Sequence, residues 1–216
     1  STLDNKGEGK YSETRGEYFA KEIGDINDKS KVAQNNLTQY EAIESLLPNF
    51  KIGAFSETLV GLNNVAKRFG LPDIVEGTGS AEAMRSFMGN LTMNTLTNFT
   101  GAISDGERAF AQSINPNLSM SEDGIRMLMK INRKIFENQI VKNDEALKWE
   151  EKYGSLMARN EKGQGWGMYW NKYTNDNPVF TDKFKEEINN VSGTVDDSFK
   201  DQIMDLDLDG DGVMDK

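Results

Sequence analysis

The sequence predicts an all-α fold, an irregular multi-helix bundle with a long N-terminal helix and a polar, Asp-rich C-terminal tail. Three observations lead to this prediction. Apolar residues recur at steps of three and four along most of the chain, which is typical of amphipathic helices. Almost no segment alternates with period two, and runs of β-branched residues are missing. Serine and glutamate stand three residues apart at Ser104/Glu107 and Ser119/Glu122, the spacing of helix-capping boxes.

The residue pattern divides the chain into four parts. Residues 1–16 are polar and contain three glycines, so we expect an N-terminal arm without its own core. Residues 17–154 have helical periodicity and form the predicted helical domain. Residues 155–190 are rich in glycine and aromatic side chains and are expected to pack on the helices. Residues 191–216 form an acidic tail.

The first helix of the domain is predicted over about residues 17 to 47, and Pro48 ends it. Its apolar residues form a narrow seam, which Ser30 and Glu44 interrupt. Such a seam fits two arrangements: pairing with another helix, including one from a second copy, or packing on the rest of this chain. The seam consists of Phe19, Ile23, Ile26, Ala33, Leu37, Tyr40 and Leu47.

Capping signals predict the next three helices. Ser56 caps a short helix that closes at Gly70 and Pro72. Ser80 caps a third helix, which Gly101 stops. The capping box of Ser104 and Glu107 then opens a fourth helix, and Pro116 is predicted to break it.

A long fifth helix is predicted over about residues 122 to 153, opened by the second capping box or by Ser121 as the cap. A last short helix is expected over about residues 181 to 190. The side chains that the fifth helix is expected to bury are Ile125, Leu128, Ile131, Ile135, Phe136, Leu147 and Trp149.

An aromatic cluster precedes the last helix: Trp166, Tyr169, Trp170 and Tyr173. It is either a platform on which a carbohydrate or a base stacks, or an anchor at the edge of the core. We favour the anchor, because large aromatic side chains beside glycines usually pack rather than bind.

Composition limits the function. The 216 residues have a formal net charge of −10, which argues against direct, specific binding to nucleic acid, since that requires clustered Lys and Arg. The chain contains no Cys and no His, so disulfides, thiolate chemistry and the commonest general base are excluded. No stretch is long and apolar enough to predict a membrane span.

Three segments occur in a fixed order: residues 100–108, residues 114–124 followed by the long helix, and residues 170–180. They contain the patterns GxISxxE, xPxLxxxxxG and WxxYxxxNPxF. In this order they resemble a helical segment of virion structural proteins of tailed bacteriophages, especially internal or DNA-ejection proteins. The resemblance covers about residues 50 to 185. The acidic tail departs from it.

The resemblance implies a non-enzymatic protein of the virion that takes part in particle assembly and genome ejection. Its partners would be copies of itself and other virion proteins. Two alternatives stay open: a Ca²⁺-dependent binding or assembly module, and a fragment of a virion-associated murein hydrolase. For the hydrolase, the candidate carboxylates near helices are Glu107, Glu122, Glu145 and Glu150, none of them beside a sugar-hydrolase signature.

The tail carries the chain's only predicted cofactor, a weakly bound Ca²⁺. Alternating carboxylates with a glycine at the turn are how a short loop builds an oxygen cage for Ca²⁺. A register that starts at Asp205 places Lys216 at the twelfth position, where an acid is required. The preferred register starts at Asp207 and resembles the DxDGDGxxD half-loops of dockerins. Its predicted ligands are the side chains of Asp207, Asp209, Asp211 and Asp215 and the backbone carbonyl of Val213.

Overall fold

The structure, a computed structural model, describes residues 2–46, 55–71, 73, 80–118 and 122–192. These residues form helices and turns, with no strand among them, so the all-α prediction is confirmed. No helix in this part of the chain is long and apolar enough to cross a membrane. The helices are α1 (Thr2–Leu46), α2 (Phe55–Arg68), α3 (Ser80–Asn98), α4 (Asp105–Leu118), α5 (Glu122–Tyr153), α6 (Trp166–Asp176) and α7 (Asp182–Ser192).

Helix α1 begins at Thr2, well before the predicted start near residue 17. The backbone of the predicted N-terminal arm is therefore helical from Thr2 onward. Its glycines disfavour a helix when that segment is considered alone. Extending a helix that is already packed needs no new nucleus, however, so a segment with poor intrinsic propensity can continue it.

The seam of α1 packs on α5 of the same chain, apart from Leu47, which lies outside the described residues. The buried Ile26 lies opposite the middle of α5. There the side-chain amide of Gln139 donates to the backbone carbonyl of Ile26 at 3.2 Å. Glu44, further along α1, pairs with Arg133 at 3.2 Å, one to two turns earlier in α5. The two helices therefore run antiparallel. Of the two arrangements open from the sequence, the structure shows packing within one chain.

The buried apolar residues form two groups. The larger contains side chains of α1 to α5 and α7, and Phe136 of α5 is one of its fully buried members. The smaller group lies at the other end of α5 and consists of Ile26, Ala146, Trp149, Leu156, Trp166 and Trp170. Helix α5 runs through both groups and so connects them.

Two further details of the predicted helices are wrong. Leu147 was expected to be buried, but 45% of it is exposed. Ala146 and Trp149, three residues apart on one face of α5, occupy the inward positions, and Leu147 therefore lies on another face. Pro116 was expected to break the fourth helix, but α4 continues to Leu118. The proline falls in the last turn, and the buried Leu118 holds that turn against the core.

Gly124 sits where the end of α4 and the first turn of α5 approach each other. A β-carbon at Gly124 would overlap the backbone carbonyl of Leu118, and a backbone group cannot move aside cheaply. We expect Gly124→Ala to lower the free energy of unfolding by about 1–3 kcal/mol, measured by urea denaturation.

Gly106, near the start of α4, is the matched control, because a β-carbon there would meet nothing within 4 Å. Gly106→Ala is expected to stabilise the protein slightly, by up to about 1 kcal/mol, through helix propensity. Equal effects of the two substitutions would contradict the close approach at Gly124.

Candidate functional site

Two of the segments that carry the phage resemblance, residues 100–108 and 170–180, meet the long helix α5 at the turn between α3 and α4. The indole N–H of Trp170 donates to the backbone carbonyl of Gly101 at 2.7 Å. Lys142 of α5 donates to the same carbonyl at 3.2 Å, and its ammonium lies 5.7 Å from the centre of the Trp170 ring. The amide of Asn138 donates to the carbonyl of Ala102. Gly101 has φ +79°, a conformation that glycine adopts without strain.

Glu107 connects two of these segments. The predicted capping box is confirmed: the Ser104 N–H donates to Glu107 Oε2 at 3.1 Å, and the Glu107 N–H donates to Ser104 Oγ at 3.3 Å. The other carboxylate oxygen accepts the backbone N–H of Phe180 at 2.8 Å. Glu107 is only 6% exposed and Phe180 only 1%. One buried carboxylate thus caps α4 and holds the chain between α6 and α7.

The contact between Glu107 and Phe180 was not predicted from the sequence. The capping box is a local pattern, whereas Phe180 lies 73 residues further along the chain. The second capping box is not tested, because Ser119, Ser121 and the Glu122 side chain lie outside the described residues. We call this group of contacting residues the three-segment joint. It consists of Gly101, Ser104, Glu107, Lys142, Trp170 and Phe180.

The aromatic cluster lies on α6, a helix that the sequence did not predict. Trp166 and Trp170 are buried, with ring centres 6.0 Å apart in a stacked arrangement. They pack against α5 as an anchor rather than as an exposed platform. Tyr169 and Tyr173 are half-buried and reach the surface. The glycines at 163, 165 and 167 hid the helical pattern, because glycine is a poor helix former.

Next to the joint, a cleft of about 300 Å³ opens between α1 and α5. Burial lowers the pKa of Lys142, and the nearby Glu22 carboxylate partly offsets this. Burial also raises the pKa of Glu22, and Lys142 acts in the opposite direction. The two groups favour each other's charged forms in a partly desolvated place. No sequence pattern marks either residue.

Two of the four glutamates considered for hydrolase chemistry are engaged in hydrogen bonds or ion pairs that hold the fold together. Glu107 belongs to the joint, and Glu145 accepts the Tyr169 hydroxyl and pairs with Lys148 at 2.7 Å. The side chain of Glu122 is outside the described residues. Within the part that the structure describes, no group of three or more Asp, Glu, His or Cys side chains is arranged to hold a metal.

The predicted Ca²⁺ ligands Asp207, Asp209, Asp211, Val213 and Asp215 lie in residues 193–216, outside the described part of the chain. The calcium site therefore stays a prediction from the sequence. The chain matches no family model, no curated protein and no solved structure. The phage resemblance accordingly depends on the three ordered segments alone.

Glu161, in the turn between α5 and α6, is expected to stay ionised in acid. The Tyr153 hydroxyl donates to it at 2.7 Å and Lys152 pairs with it at 3.0 Å. Chiefly through the bond from Tyr153, the pKa of Glu161 falls to about 2. Because its pKa is lowered in the folded state, its contribution to stability is complete above the ordinary glutamate range and is lost as pH falls toward about 2.

Carbon-detected NMR of the Glu161 carboxyl measures this directly. In the wild type, the titration midpoint of the Glu161 carboxyl is expected near pH 2. Tyr153→Phe keeps the ring and removes the hydroxyl that donates to Glu161. In this variant the titration midpoint of Glu161 should rise toward the pKa of an ordinary glutamate. A wild-type midpoint at the ordinary value of a free glutamate would contradict the bonded arrangement.

Proposed function

We propose that this chain is a non-enzymatic structural protein of a tailed-phage virion, taking part in particle assembly and genome ejection. One observation carries the proposal: residues 100–108 and 170–180, two of the segments that resemble phage virion proteins, interlock at the three-segment joint with Lys142 of the long helix. Glu107 accepts the N–H of Phe180, and Trp170 donates to Gly101. These hydrogen bonds hold parts of the fold together. The resemblance is therefore to a structural unit rather than to a set of reactive groups.

The charge of the chain fits passage beside a genome. A net charge of −10 repels the phosphate backbone, so DNA that passes the protein would not adhere to it. We place the protein in the virion, with copies of itself and other virion proteins as partners. The buried residues of the seam, Ile26, Ala33 and Tyr40, are covered within the chain, so contacts between copies would use other surfaces.

Mass spectrometry of purified particles of the phage that encodes the chain tests this proposal. Peptides of the chain should be present at a fixed ratio to the major capsid protein. Particles that have ejected their DNA should show a changed ratio if the protein travels with the genome. Absence of the chain from intact, purified particles would overturn the proposal, whatever its abundance in the infected cell.

The sequence of residues 205–216 supports a second candidate, a Ca²⁺-dependent binding or assembly module. Alternating Asp207, Asp209 and Asp211 with a glycine at the turn suits a weak oxygen cage, with dissociation constants of about 10⁻⁴–10⁻³ M for sites of the extracellular kind. Calorimetry with millimolar calcium on the wild type and on the double variant Asp209→Asn, Asp211→Asn decides this. Heat that is equal in the two proteins would eliminate the candidate.

A further inference from the structure

A groove with aromatic walls lies where the end of α5 faces α6. Trp149 is at its base, with ring centres of Tyr153 and Tyr169 at 4.6 and 5.2 Å. Two cavities of about 250 and 310 Å³ adjoin here and share Tyr153, Asn160 and Tyr169 in their walls. The groove continues past Tyr173 toward the end of α6. It is separate from the three-segment joint and no bond of the joint uses it.

The two tyrosines that wall the groove are fixed at their hydroxyls. Tyr153 donates to Glu161 at 2.7 Å, and Glu161 is paired with Lys152 at 3.0 Å. Tyr169 donates to Glu145, and Glu145 is paired with Lys148 at 2.7 Å. Both rings are thus held in place before any ligand arrives. A preformed wall loses little conformational freedom on binding, which favours affinity.

Most of the charges along the groove are paired. Lys148, Lys152 and Lys172 are each paired with a carboxylate, the last with Asp176 at 2.6 Å. Lys162 is the remaining lysine among the lining residues. Recognition of a phosphate backbone needs clustered, uncompensated cations, and this groove does not offer them. A neutral occupant fits this groove best, because three of its lysines already have a carboxylate partner.

The lining combines flat apolar faces with many hydrogen-bonding groups. The carboxylates accept, the lysines donate, and the amides of Asn160, Gln164 and Asn177 do both. A sugar ring offers the complement, since it has an apolar face of C–H groups and an edge of hydroxyls.

We propose that this groove binds a neutral saccharide chain and does not cleave it. The two adjoining cavities allow consecutive sugar units to contact Tyr153 and Tyr169. This ligand role goes beyond the structural role proposed above and does not rest on it.

The contacts of the two glutamates support binding without cleavage, because Glu161 already accepts the Tyr153 hydroxyl and pairs with Lys152. Glu145 likewise accepts the Tyr169 hydroxyl and pairs with Lys148. Glycoside hydrolysis requires a carboxylic acid that is still protonated near neutral pH. Bonds from Tyr153, a backbone group and Lys152 hold the pKa of Glu161 at about 2. Burial raises the pKa of Glu145, but bonds from Lys148 and Tyr169 outweigh burial and lower it overall. Both groups are acceptors for sugar hydroxyls and neither is a proton donor.

Amide chemical-shift mapping on the full chain tests the proposal with four probes: chitotetraose, cellotetraose, maltotetraose and a decaproline peptide. At least one neutral oligosaccharide at millimolar concentration should shift resonances that cluster at Tyr153, Asn160 and Tyr169. No clustered shift with any of the three sugars would overturn the proposal. Binding of decaproline alone would also overturn it, and would make the groove a site for a proline-rich peptide.

Variants separate the ring from its hydroxyl. Tyr153→Ala should weaken saccharide binding about tenfold, as expected when a central aromatic contact is lost. Tyr153→Phe keeps the ring but loses the bond to Glu161, so its affinity should lie between those of the wild type and Tyr153→Ala. It also serves as the test variant if Tyr153→Ala fails to fold. Tyr18→Ala, on an exposed tyrosine of α1 away from the groove, should bind like the wild type. Equal affinity of all three variants would overturn the assignment to this groove.

Chromatography of the oligosaccharide after incubation completes the test. The tetramer should be recovered at its original length. Shortened products that disappear in Glu145→Gln or Glu161→Gln would overturn the non-cleaving part of the proposal and favour a hydrolase. These binding and cleavage measurements do not depend on whether the chain is found in purified particles. They therefore test the groove independently of the virion proposal.

Discussion

Replacing Phe136 with alanine is expected to lower the free energy of unfolding by about 3–5 kcal/mol. Phe136 is fully buried at the middle of α5. Its ring meets Tyr40 of α1 edge to face at 5.7 Å and Phe99, after α3, at 5.1 Å. One side chain therefore holds three parts of the fold together, and the alanine variant would leave a cavity between them. Urea denaturation followed by far-ultraviolet circular dichroism measures the loss.

Leu147→Ala, on the same helix, is the matched control. Because Leu147 is 45% exposed, its truncation should change the free energy of unfolding by less than about 0.5 kcal/mol. The loss of unfolding free energy in Phe136→Leu should lie between those of Phe136→Ala and Leu147→Ala. If Phe136→Ala and Leu147→Ala were equally mild, the described packing of α1 and α3 on α5 would be incorrect.

Glu107→Ala is expected to destabilise the protein by about 2–4 kcal/mol. Two losses combine. Helix α4 loses its capping box with Ser104, and the buried N–H of Phe180 loses its acceptor. A buried donor without a partner retains its full desolvation penalty, and this second loss separates Glu107 from an ordinary helix cap.

Two comparisons make the Glu107 result specific. Glu186→Ala removes an exposed carboxylate from α7 and should change stability little. Ser104→Ala removes the cap but leaves the bond to Phe180, so it should cost less than Glu107→Ala. Equal losses for Ser104→Ala and Glu107→Ala would show that the bond to Phe180 contributes nothing.

Local signals predicted most of the helices. Helix α3 begins at Ser80 as predicted, and α5 spans Glu122–Tyr153, in agreement with the prediction of about 122 to 153. These elements have clear apolar periodicity together with caps or glycine stops, and such signals act within a few residues. The turn at Gly101 was predicted for the same reason, and its positive φ explains the glycine.

The sequence was a poor guide wherever tertiary contacts decide the structure. Helix α6 has glycines at its start and forms because Trp166 and Trp170 are buried against α5. The N-terminal extension of α1 has poor propensity and continues a packed helix. The buried Ile43 was not assigned to the seam, because the seam was read as narrow.

The candidate site was less predictable than the fold. The resemblance identified the segments of the three-segment joint, and local chemistry identified the cap at Glu107. Neither showed that Trp170 reaches Gly101, 69 residues earlier in the chain. The groove beside Trp149 depends on α5 and α6 coming together, which periodicity within either helix does not reveal.

Hydrogen exchange at the Phe180 amide tests most directly whether residues 100–108 and 170–180 form one structural unit. This N–H is buried and bonded to Glu107, outside any helix, so helix hydrogen bonds do not protect it. In the wild type it should exchange only when the whole fold opens, and Glu107→Ala should restore fast exchange at Phe180 while α5 amides stay protected. Fast exchange at Phe180 in the wild type would contradict the joint.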